Sequence, residues 1–255
     1  MKNMRMFHNN IKKGLISYAR QCKSDCELFD IGVGRGGDMY KWSKCGIKKV
    51  VGYDIDNISI EEAKRRYTNS DFSNECDYSF HTFPNLDTAV NCLHLHANQF
   101  DIVSCQFAIH YFFKNNDFLM NMLKHVHTIL KPRGRFIGTF MDAEQLEHLT
   151  TNFTQTFQNS TFLIHTPSKI NTKNRTGNCV QVHLTNTLYF GECAVSIEYL
   201  VYKHYLEQAC KEVGLRLVEF KSFNDHYNEN YNNIHMNEDT LTCSFTYTSF
   251  IFEKI

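Results

Sequence analysis

The chain has 255 residues, 42% of them hydrophobic and 21% charged, which is enough for one large α/β domain with a full core and is ordinary for a soluble globular protein. Lysine and arginine together number 27, as do aspartate and glutamate, so the composition excludes strong binding of long RNA or DNA by charge alone. A small anionic ligand held by a few local cations remains compatible with this balance.

The ten cysteines include no Cys-x-x-Cys pair, and the sequence has no apolar run of 18 residues. We therefore expect reduced cysteines, a cytosolic or nuclear location and no contact with a membrane. Two histidine pairs, His94/His96 and His125/His127, have the spacing of metal ligands, but no second pair of ligand residues accompanies them. We expect no metal site.

The spacing of apolar residues predicts strands that alternate with helices up to residue 140. Such alternation is typical of a mostly parallel sheet covered by helices on both faces. In chain order the predicted elements are helix 7–19, strand 27–31, helix 39–44, strand 48–54, helix 59–67, strand 100–106, helix 118–130, a turn at 132–134 and strand 135–140.

The pattern changes in the second half of the chain. Residues 150–178 are rich in Thr, Asn and Gln and lack a clear period, so we predict a loop-rich insertion near 142–192 within one domain that spans 1–255. A helix at 199–213 should follow. Strands at 215–220 and 244–253 should then pair antiparallel at the sheet edge, with a mobile, Asn-rich loop at 224–239 between them.

A glycine-rich loop stands where the first strand ends. Six of the twelve glycines lie between Gly32 and Gly52, and glycine is used where the backbone bends sharply or approaches a ligand closely. The spelling Gly32-x-Gly34-x-x-Gly37 fits the dinucleotide fingerprint. Two ligands therefore compete for this loop, NAD and S-adenosylmethionine (SAM).

The acidic residues around the loop favour SAM. NAD carries an anionic pyrophosphate, whereas SAM carries a cationic sulfonium and an ammonium group, so carboxylates beside the loop suit SAM. Asp30 precedes the first glycine and Asp38 follows the last one, where it can also cap the next helix. Asp54 ends the second strand and suits the ribose of either ligand. These features favour SAM as the ligand of this loop.

Several segments together resemble the mRNA cap guanine-N7 methyltransferases over nearly the whole chain. The loop Ile31-Gly-Val-Gly-Arg-Gly-Gly-Asp38, followed by Lys41-Trp42, is similar to that family's Leu-Gly-Cys-Gly-Lys-Gly-Gly-Asp and Lys-Trp. The most specific match is Phe100-Asp-Ile-Val-Ser-Cys-Gln-Phe-Ala-Ile-His-Tyr111. Phe7-His-Asn-Asn-Ile-Lys12 and Glu198-Tyr-Leu-Val-Tyr202 match two further family patterns. The chain also looks like the methyltransferase part of a large-DNA-virus (asfarvirus-type) mRNA-capping enzyme.

The resemblance implies a class I SAM-methyltransferase (Rossmann-like) α/β fold, with a mostly parallel seven-stranded sheet, helices on both faces and an antiparallel edge strand. It also implies a role for each matching position. Residues expected to contact SAM are Lys12, Asp30, Gly32, Gly34, Asp38, Asp54, Gln106, Phe107 and Ala108. Residues expected to hold the cap are Asn9, Arg35, Lys41, Arg66, His110, Tyr111, Glu198 and Tyr247. Among these, Glu198, His110 and Tyr111 are expected to serve catalysis.

The sequence departs from the family pattern in three places. Arg35 replaces a lysine, which keeps the charge but changes its geometry. Asn10 stands where the family has tryptophan. The family's adenine-facing aspartate has no clean match after the third strand, where Asn85, Asp87 or a backbone amide could take its place.

The expected chemistry needs no general base, because guanine N7 has a free lone pair and no proton to lose. Positioning of the two reactants should supply most of the catalysis. Glu198 is our candidate for accepting hydrogen bonds from the guanine N1–H and amine, and for stabilising the positive charge that the ring gains.

We expect capped mRNA as the substrate, with triphosphatase and guanylyltransferase domains of the same capping enzyme as further partners, and neither DNA nor a membrane. A viral enzyme would work in the host cytoplasm, in a viral factory or virion, and a cellular one in the nucleus. Three alternatives stay open: a SAM methyltransferase acting on a small molecule or protein, a non-catalytic subunit that binds caps or SAM, and an NAD-dependent enzyme.

Overall fold

A computed structural model describes residues 2–21, 24–83, 97–153, 156–167, 169–171, 173–185 and 195–255. In these ranges the strands form two sheets, one of seven strands and one of four. The strands are β1 Glu27–Ile31, β2 Lys49–Asp54, β3 Asp77–Thr82, β4 Phe100–Gln106, β5 Leu130–Met141, β6 Phe157–Gln158, β7 Phe162–His165, β8 Cys179–Leu184, β9 Ser196–Tyr199, β10 Leu215–Ser222 and β11 Tyr247–Lys254.

The larger sheet has the strand order β10-β11-β5-β4-β1-β2-β3. Strands β1 to β5 run parallel to one another. Strand β11 is antiparallel to both of its neighbours, β5 and β10. The predicted mostly parallel sheet, with antiparallel pairing at one edge, is confirmed.

The central strands are buried on both faces because helices cover the sheet. Every residue of β4 and of β11 is buried, which explains why neither sequence shows the regular alternation of apolar and polar residues that is typical of a half-exposed strand. The covering helices are α1 Lys2–Arg20, α2 Met39–Lys44, α3 Asn57–Thr68, a 3-10 helix Ile109–Lys114, α4 Asn116–Ile129, α5 Ala143–Leu149, α6 Lys203–Glu212, α7 Phe223–His226 with a π-helical turn Tyr227–Tyr231, and α8 Glu238–Phe245.

Helix α1 shows how the sequence determines packing. Its buried residues Met4, Phe7, Ile11 and Leu15 recur every three or four positions, so they form one apolar stripe along the helix. That stripe packs beside β4, β5, α2 and α8. Asn9 and Lys12, which share this helix, are thereby held at the edge of the sheet where the parallel strands end.

Four predictions of elements or their boundaries were wrong. The turn expected at 132–134 is an irregularity within β5, where the register against β4 shifts. The loop expected at 224–239 contains α7 and the π-helical turn, and Asn237 caps α8 by accepting a hydrogen bond from the Thr240 amide. The final strand therefore begins at Tyr247 and not at Ser244, and α6 begins at Lys203 and not at Tyr199.

The predicted insertion does leave the main sheet, but it is not only loop. Its described part holds α5 and strands β6 to β8, and β9, which lies beyond the predicted bounds, completes an antiparallel sheet in the order β6-β7-β8-β9. Buried Phe162, Ile164, Val180 and Val182 join this sheet to the main core. Strand β9 then carries Glu198 to the same end of the molecule as the glycine loop.

Candidate functional site

The glycine loop between β1 and α2 is pressed against the ends of β2 and β4. The Gly32 amide donates a hydrogen bond to the Tyr53 carbonyl at 2.9 Å. Gly32 has a φ of 76°, and a Cβ there would lie 2.6 Å from the Ala108 Cβ. A larger residue would therefore clash as well as strain the backbone, so glycine is required at this position.

Asp54, at the end of β2, is tied directly to the loop. One carboxylate oxygen accepts a hydrogen bond from the Gly34 amide at 2.7 Å. The other accepts one from the Asp56 amide at 3.0 Å. The carboxylate is half-buried and fixed in orientation, as a group that accepts hydrogen bonds from ribose hydroxyls must be.

Asp38 anchors two lysines beneath the loop. The Lys12 Nζ lies 2.7 Å and the Lys41 Nζ 2.6 Å from the same Asp38 oxygen. Burial alone would raise the pKa of Asp38, but the two ammonium groups outweigh it and lower that pKa. The carboxylate thus stays ionised although it is buried, and it links α1 to α2 through charge.

Asp30 lies in the opposite environment, although it is also buried. Its Oδ1 has no hydrogen-bond partner among the described residues. Burial, followed by the nearby charge of Asp38, raises the pKa of Asp30 to about 8. An unpartnered carboxyl oxygen of this kind can be stabilised by a cation placed over the loop.

The end of β4 is held in a strained conformation beside the loop. Phe107 has a φ of 55°, which a bulky residue rarely adopts, and its amide donates a hydrogen bond to the Thr139 carbonyl at 3.0 Å. The Thr139 hydroxyl donates to the Gln106 side chain at 3.1 Å. Lys12 lies 5.7 Å from the Phe107 ring centroid. The predicted residues Gln106, Phe107 and Ala108 therefore line one border of the same cleft.

On the far side of this border, β9 and the 3-10 helix bring Glu198 to His110. The His110 Nδ1 lies 3.9 Å from a Glu198 oxygen. The other ring nitrogen, Nε2, is buried and has no partner among the described residues. Burial lowers the pKa of His110, although Glu198 opposes this shift. The imidazole is therefore neutral at physiological pH.

Two tyrosines complete this part of the cleft. The Tyr111 ring lies 4.1 Å from the His110 ring, centroid to centroid. Tyr247, at the start of β11, is buried and packs edge-on against Phe107 at 5.0 Å. Burial raises the pKa of both tyrosines, and the charge of Glu198 adds to each shift. Both side chains are thus protonated phenols next to one carboxylate.

The cations expected to hold the cap lie in the glycine loop, on α2 and on α3. Arg66, on α3, donates a hydrogen bond to the Arg35 carbonyl at 2.8 Å, so these two residues lie together. Asn9 is exposed on α1. Lys41 is buried, with its ammonium on Asp38 and the Gly37 carbonyl. In this arrangement Lys41 supports the loop from beneath, and its expected contact with the cap stays a prediction.

One residue of the cleft was missed by the sequence reasoning, and one expected group cannot be placed. His8 lies among Phe107, Phe223 and Tyr247, and its Nε2 is 2.9 Å from the Ser244 hydroxyl. Its place in the motif before Asn9 was the available signal. Asn85 and Asp87 lie outside the described residues, so the adenine contact stays a prediction.

The described ranges contain no group of three or more His, Cys, Asp or Glu that could hold a metal ion. Within the same ranges, no helix has both the length and the apolar character needed to cross a membrane.

Comparison with known proteins relates this cleft to one family. The model of the mRNA (guanine-N(7))-methyltransferase domain matches residues 1–243. A "Probable mRNA-capping enzyme" of Acanthamoeba polyphaga mimivirus is 26% identical over 92% of this chain and 23% of its own length. An "mRNA cap guanine-N(7) methyltransferase" of Drosophila melanogaster is 31% identical over 89% of this chain and 56% of its own length. The chain thus spans less than two thirds of either relative.

Solved structures share the fold at low sequence identity. An S-adenosylmethionine-dependent methyltransferase from Clostridium acetobutylicum ATCC 824 is 13% identical, covers 99% of this chain and 91% of its own, and superimposes with a TM-score of 0.58. The fold is that of the class I SAM methyltransferases, as predicted.

Proposed function

This chain belongs to the mRNA (guanine-N(7))-methyltransferase family, and we propose that it transfers a methyl group from SAM to N7 of the guanine that caps mRNA. One observation carries the proposal. Two clusters meet at one end of the sheet: the glycine loop with its buried acids, and the Glu198–His110 pair. The first suits a cationic methyl donor, and the second suits a guanine.

The residues around the loop fit SAM as a ligand. A cation near the unpartnered Oδ1 of Asp30 would stabilise the ionised carboxyl group, and SAM has two cationic groups. Asp54 would hold the ribose hydroxyls, and Asp30 and Asp38 with Lys12 would lie at the methionine end. When bound, SAM supplies an activated methyl group on its sulfonium. Because Gly32 and Gly34 have no side chains, SAM could approach the backbone of the loop closely.

Glu198 accounts for guanine selection. A carboxylate can accept hydrogen bonds from both the N1–H and the exocyclic amine of guanine, whereas adenine offers no such pair of donors. Neutral His110 and protonated Tyr111 and Tyr247 provide polar and aromatic surfaces around the base. The cluster would fix the ring so that N7 faces the methyl donor.

The reaction then depends on positioning and charge. N7 attacks with its own lone pair, so no residue has to remove a proton. Holding both reactants in one geometry is worth about 7–11 kcal/mol in well-ordered cases. The guanine ring becomes positive as the new bond forms, and the Glu198 carboxylate stabilises that charge more in the transition state than before it.

Arg35, Arg66 and Asn9 would hold the phosphates and ribose of the cap. Arg35 and Arg66 are joined through the Arg35 carbonyl. The placement of Arg35 inside the loop lets one segment hold the donor with its backbone and the acceptor with a side chain.

The wider setting follows from the substrate. N7 methylation requires a guanylated transcript, so a triphosphatase and a guanylyltransferase must act first. The match to 23% of a mimivirus protein named as a probable capping enzyme fits such an arrangement. We predict that the protein acts in the host cytoplasm, in a viral factory or virion, if it is viral, and in the nucleus if it is cellular.

Guanine selectivity tests the proposal. RNA ending in GpppA and RNA ending in ApppA should be incubated with methyl-labelled SAM and the purified protein. We expect label in the GpppA-ended RNA at least a hundredfold above the ApppA-ended RNA. Equal labelling of both, or none of either, would refute the proposed function.

A further inference from the structure

The outer face of α2 presents an exposed tyrosine. The inner face of this short helix buries Met39, Lys41 and Trp42. Tyr40 points the other way and is 65% exposed, compared with 51% for Tyr18. The Lys44 Nζ lies 5.2 Å from the centroid of the Tyr40 ring. Tyr40 therefore packs against little of the core, and its ring is presented to solvent beside a cation.

This face is locally positive, although the chain as a whole has no net charge. Helices α1 and α2 together contain seven lysines and arginines and no acidic residue. Lys12 and Lys41 turn inward to Asp38. Lys13 and Lys44 remain on the surface, and neither makes an ion pair with any residue that the structure describes.

The two helices form one surface. The Cys45 thiol, directly after α2, donates to the Lys13 carbonyl at 3.7 Å, so Lys13 lies near the end of α2 that carries Lys44. By contrast, the lysine and arginine residues Lys64 and Arg65 of α3 are paired with Glu61 and Glu62. Lys13 and Lys44 thus differ from Lys64 and Arg65, whose charges are paired with acids of the same helix.

The expected path of the transcript leads to this surface. If Glu198 holds the guanine edge, the cap phosphates lie across the loop, near Arg35 and Arg66. Arg35 lies in the loop that leads into α2, five residues before Tyr40. Asn9 lies one helical turn before Lys13 on the exposed face of α1. RNA that leaves the phosphates over α2 would therefore meet Tyr40, Lys44 and Lys13, which lie on one surface.

We propose that Tyr40 is a stacking platform for the base of the first transcribed nucleotide, and that Lys13 and Lys44 each contact one of the phosphates that follow it. The inference rests on the proposed function, because it needs the cap in the cleft. Single-stranded RNA is held in this way, by aromatic rings under the bases and cations along the backbone. Such stacking tolerates any base, as a cap-modifying enzyme requires.

Binding to capped RNA and to GTP separates this site from the guanine pocket. Fluorescence anisotropy should measure the Kd of a labelled, GpppA-ended five-nucleotide RNA, with S-adenosylhomocysteine present and GTP as a competitor. We expect Tyr40→Ala to weaken capped RNA about tenfold, the usual effect of losing one base–aromatic stack, and to leave GTP unchanged. Tyr40→Phe should bind like the wild type, as should Tyr18→Ala, which alters another exposed tyrosine.

Two outcomes would overturn the stacking role: capped-RNA binding unchanged in Tyr40→Ala, or an equal loss for GTP and capped RNA. The proposed function fails separately, if the wild type binds capped RNA but transfers no methyl group to it. A wild type that does not bind capped RNA would refute both.

The salt dependence of binding tests the two lysines. Each phosphate contact on single-stranded RNA contributes about 0.7 to the slope of log affinity against log salt. Lys13→Ala and Lys44→Ala should each reduce the slope by about that amount. Lys64→Ala is the matched control, because its ammonium is already paired with Glu61. An unchanged slope in both variants would contradict the phosphate contacts.

Discussion

Asp30 and Asp38 flank the same loop, yet their charges differ. Asp38 is surrounded by two ammonium groups and stays ionised. Asp30 has a buried, unpartnered oxygen, and its pKa rises to about 8 because of burial and the charge of Asp38. Of the two acids that flank the loop, Asp38 is therefore a carboxylate in the ligand-free protein, whereas Asp30 is neutral below about pH 8. A cationic ligand would favour ionisation of the second.

Asp30 should make the ligand-free protein less stable as pH rises. Its pKa in the folded protein is about 8, above the ordinary value of 3.8, so between these values the folded state holds a proton that the unfolded state has released. Stability then falls as pH increases through that window. The free energy of unfolding, measured with urea at pH 5 and at pH 8, should decline less between these pH values for Asp30→Asn than for the wild type.

The exposed Asp77→Asn variant serves as the control for this measurement and should keep the wild-type decline. If Asp30→Asn kept it as well, Asp30 would already be ionised in the ligand-free protein. The claim that Asp30 is neutral until a cationic ligand binds would then be wrong.

Glu198 should affect catalysis without affecting the donor. Glu198→Gln keeps the size of the side chain but loses the negative charge and one of its two acceptors. We expect kcat on capped RNA to fall at least tenfold, while the Kd for SAM, measured by calorimetry, stays within about twofold. Glu61→Gln, on the exposed surface of α3, should leave both unchanged. Full activity in Glu198→Gln would remove it from the guanine site.

At the scale of elements, the glycine loop works because it fits between β2 and β4. Gly32→Ala would place a Cβ 2.6 Å from Ala108 at a positive φ. We expect this to cost about 1–3 kcal/mol of unfolding free energy and to weaken SAM binding at least tenfold. Urea denaturation and calorimetry measure the two effects.

Gly14→Ala is the contrasting change. A Cβ at Gly14 meets nothing within 4 Å, and the residue lies inside α1, so we expect a gain of about 0.5–1 kcal/mol with unchanged SAM binding. A loss of unfolding free energy in both variants, or in neither, would contradict the claim that the close packing of Gly32 requires glycine.

The sequence predicted the elements whose residues carry their own signal. Strand β4 is a short segment rich in apolar residues, and α1 has a regular apolar stripe, so both could be recognised locally. Strands β6 to β9 could not. They are two to six residues long, rich in polar residues, and they become strands only by pairing with one another. The prediction of a loop at 224–239 was wrong because helix-capping residues such as Asn237 are of types that are also common in loops.

At the scale of the whole molecule, motifs identified the residues of the cleft but not their partners. Glu198 and His110 are 88 positions apart, and only the second sheet brings them together. Lys12 and Lys41 are two similar cations in the sequence, yet in the structure both form ion pairs with Asp38. The zero net charge likewise concealed a positive surface on α1 and α2, because composition does not record where charges lie.

The identity of the methylated atom tests the central claim most directly. GpppA-ended RNA should be treated with the protein and labelled SAM, digested to its cap structure and nucleosides, and resolved by chromatography with mass spectrometry. The account predicts that essentially all label appears in N7-methylguanosine, within the cap. Label at a ribose hydroxyl, at another position of guanine or on an internal nucleotide, with none at N7, would contradict it.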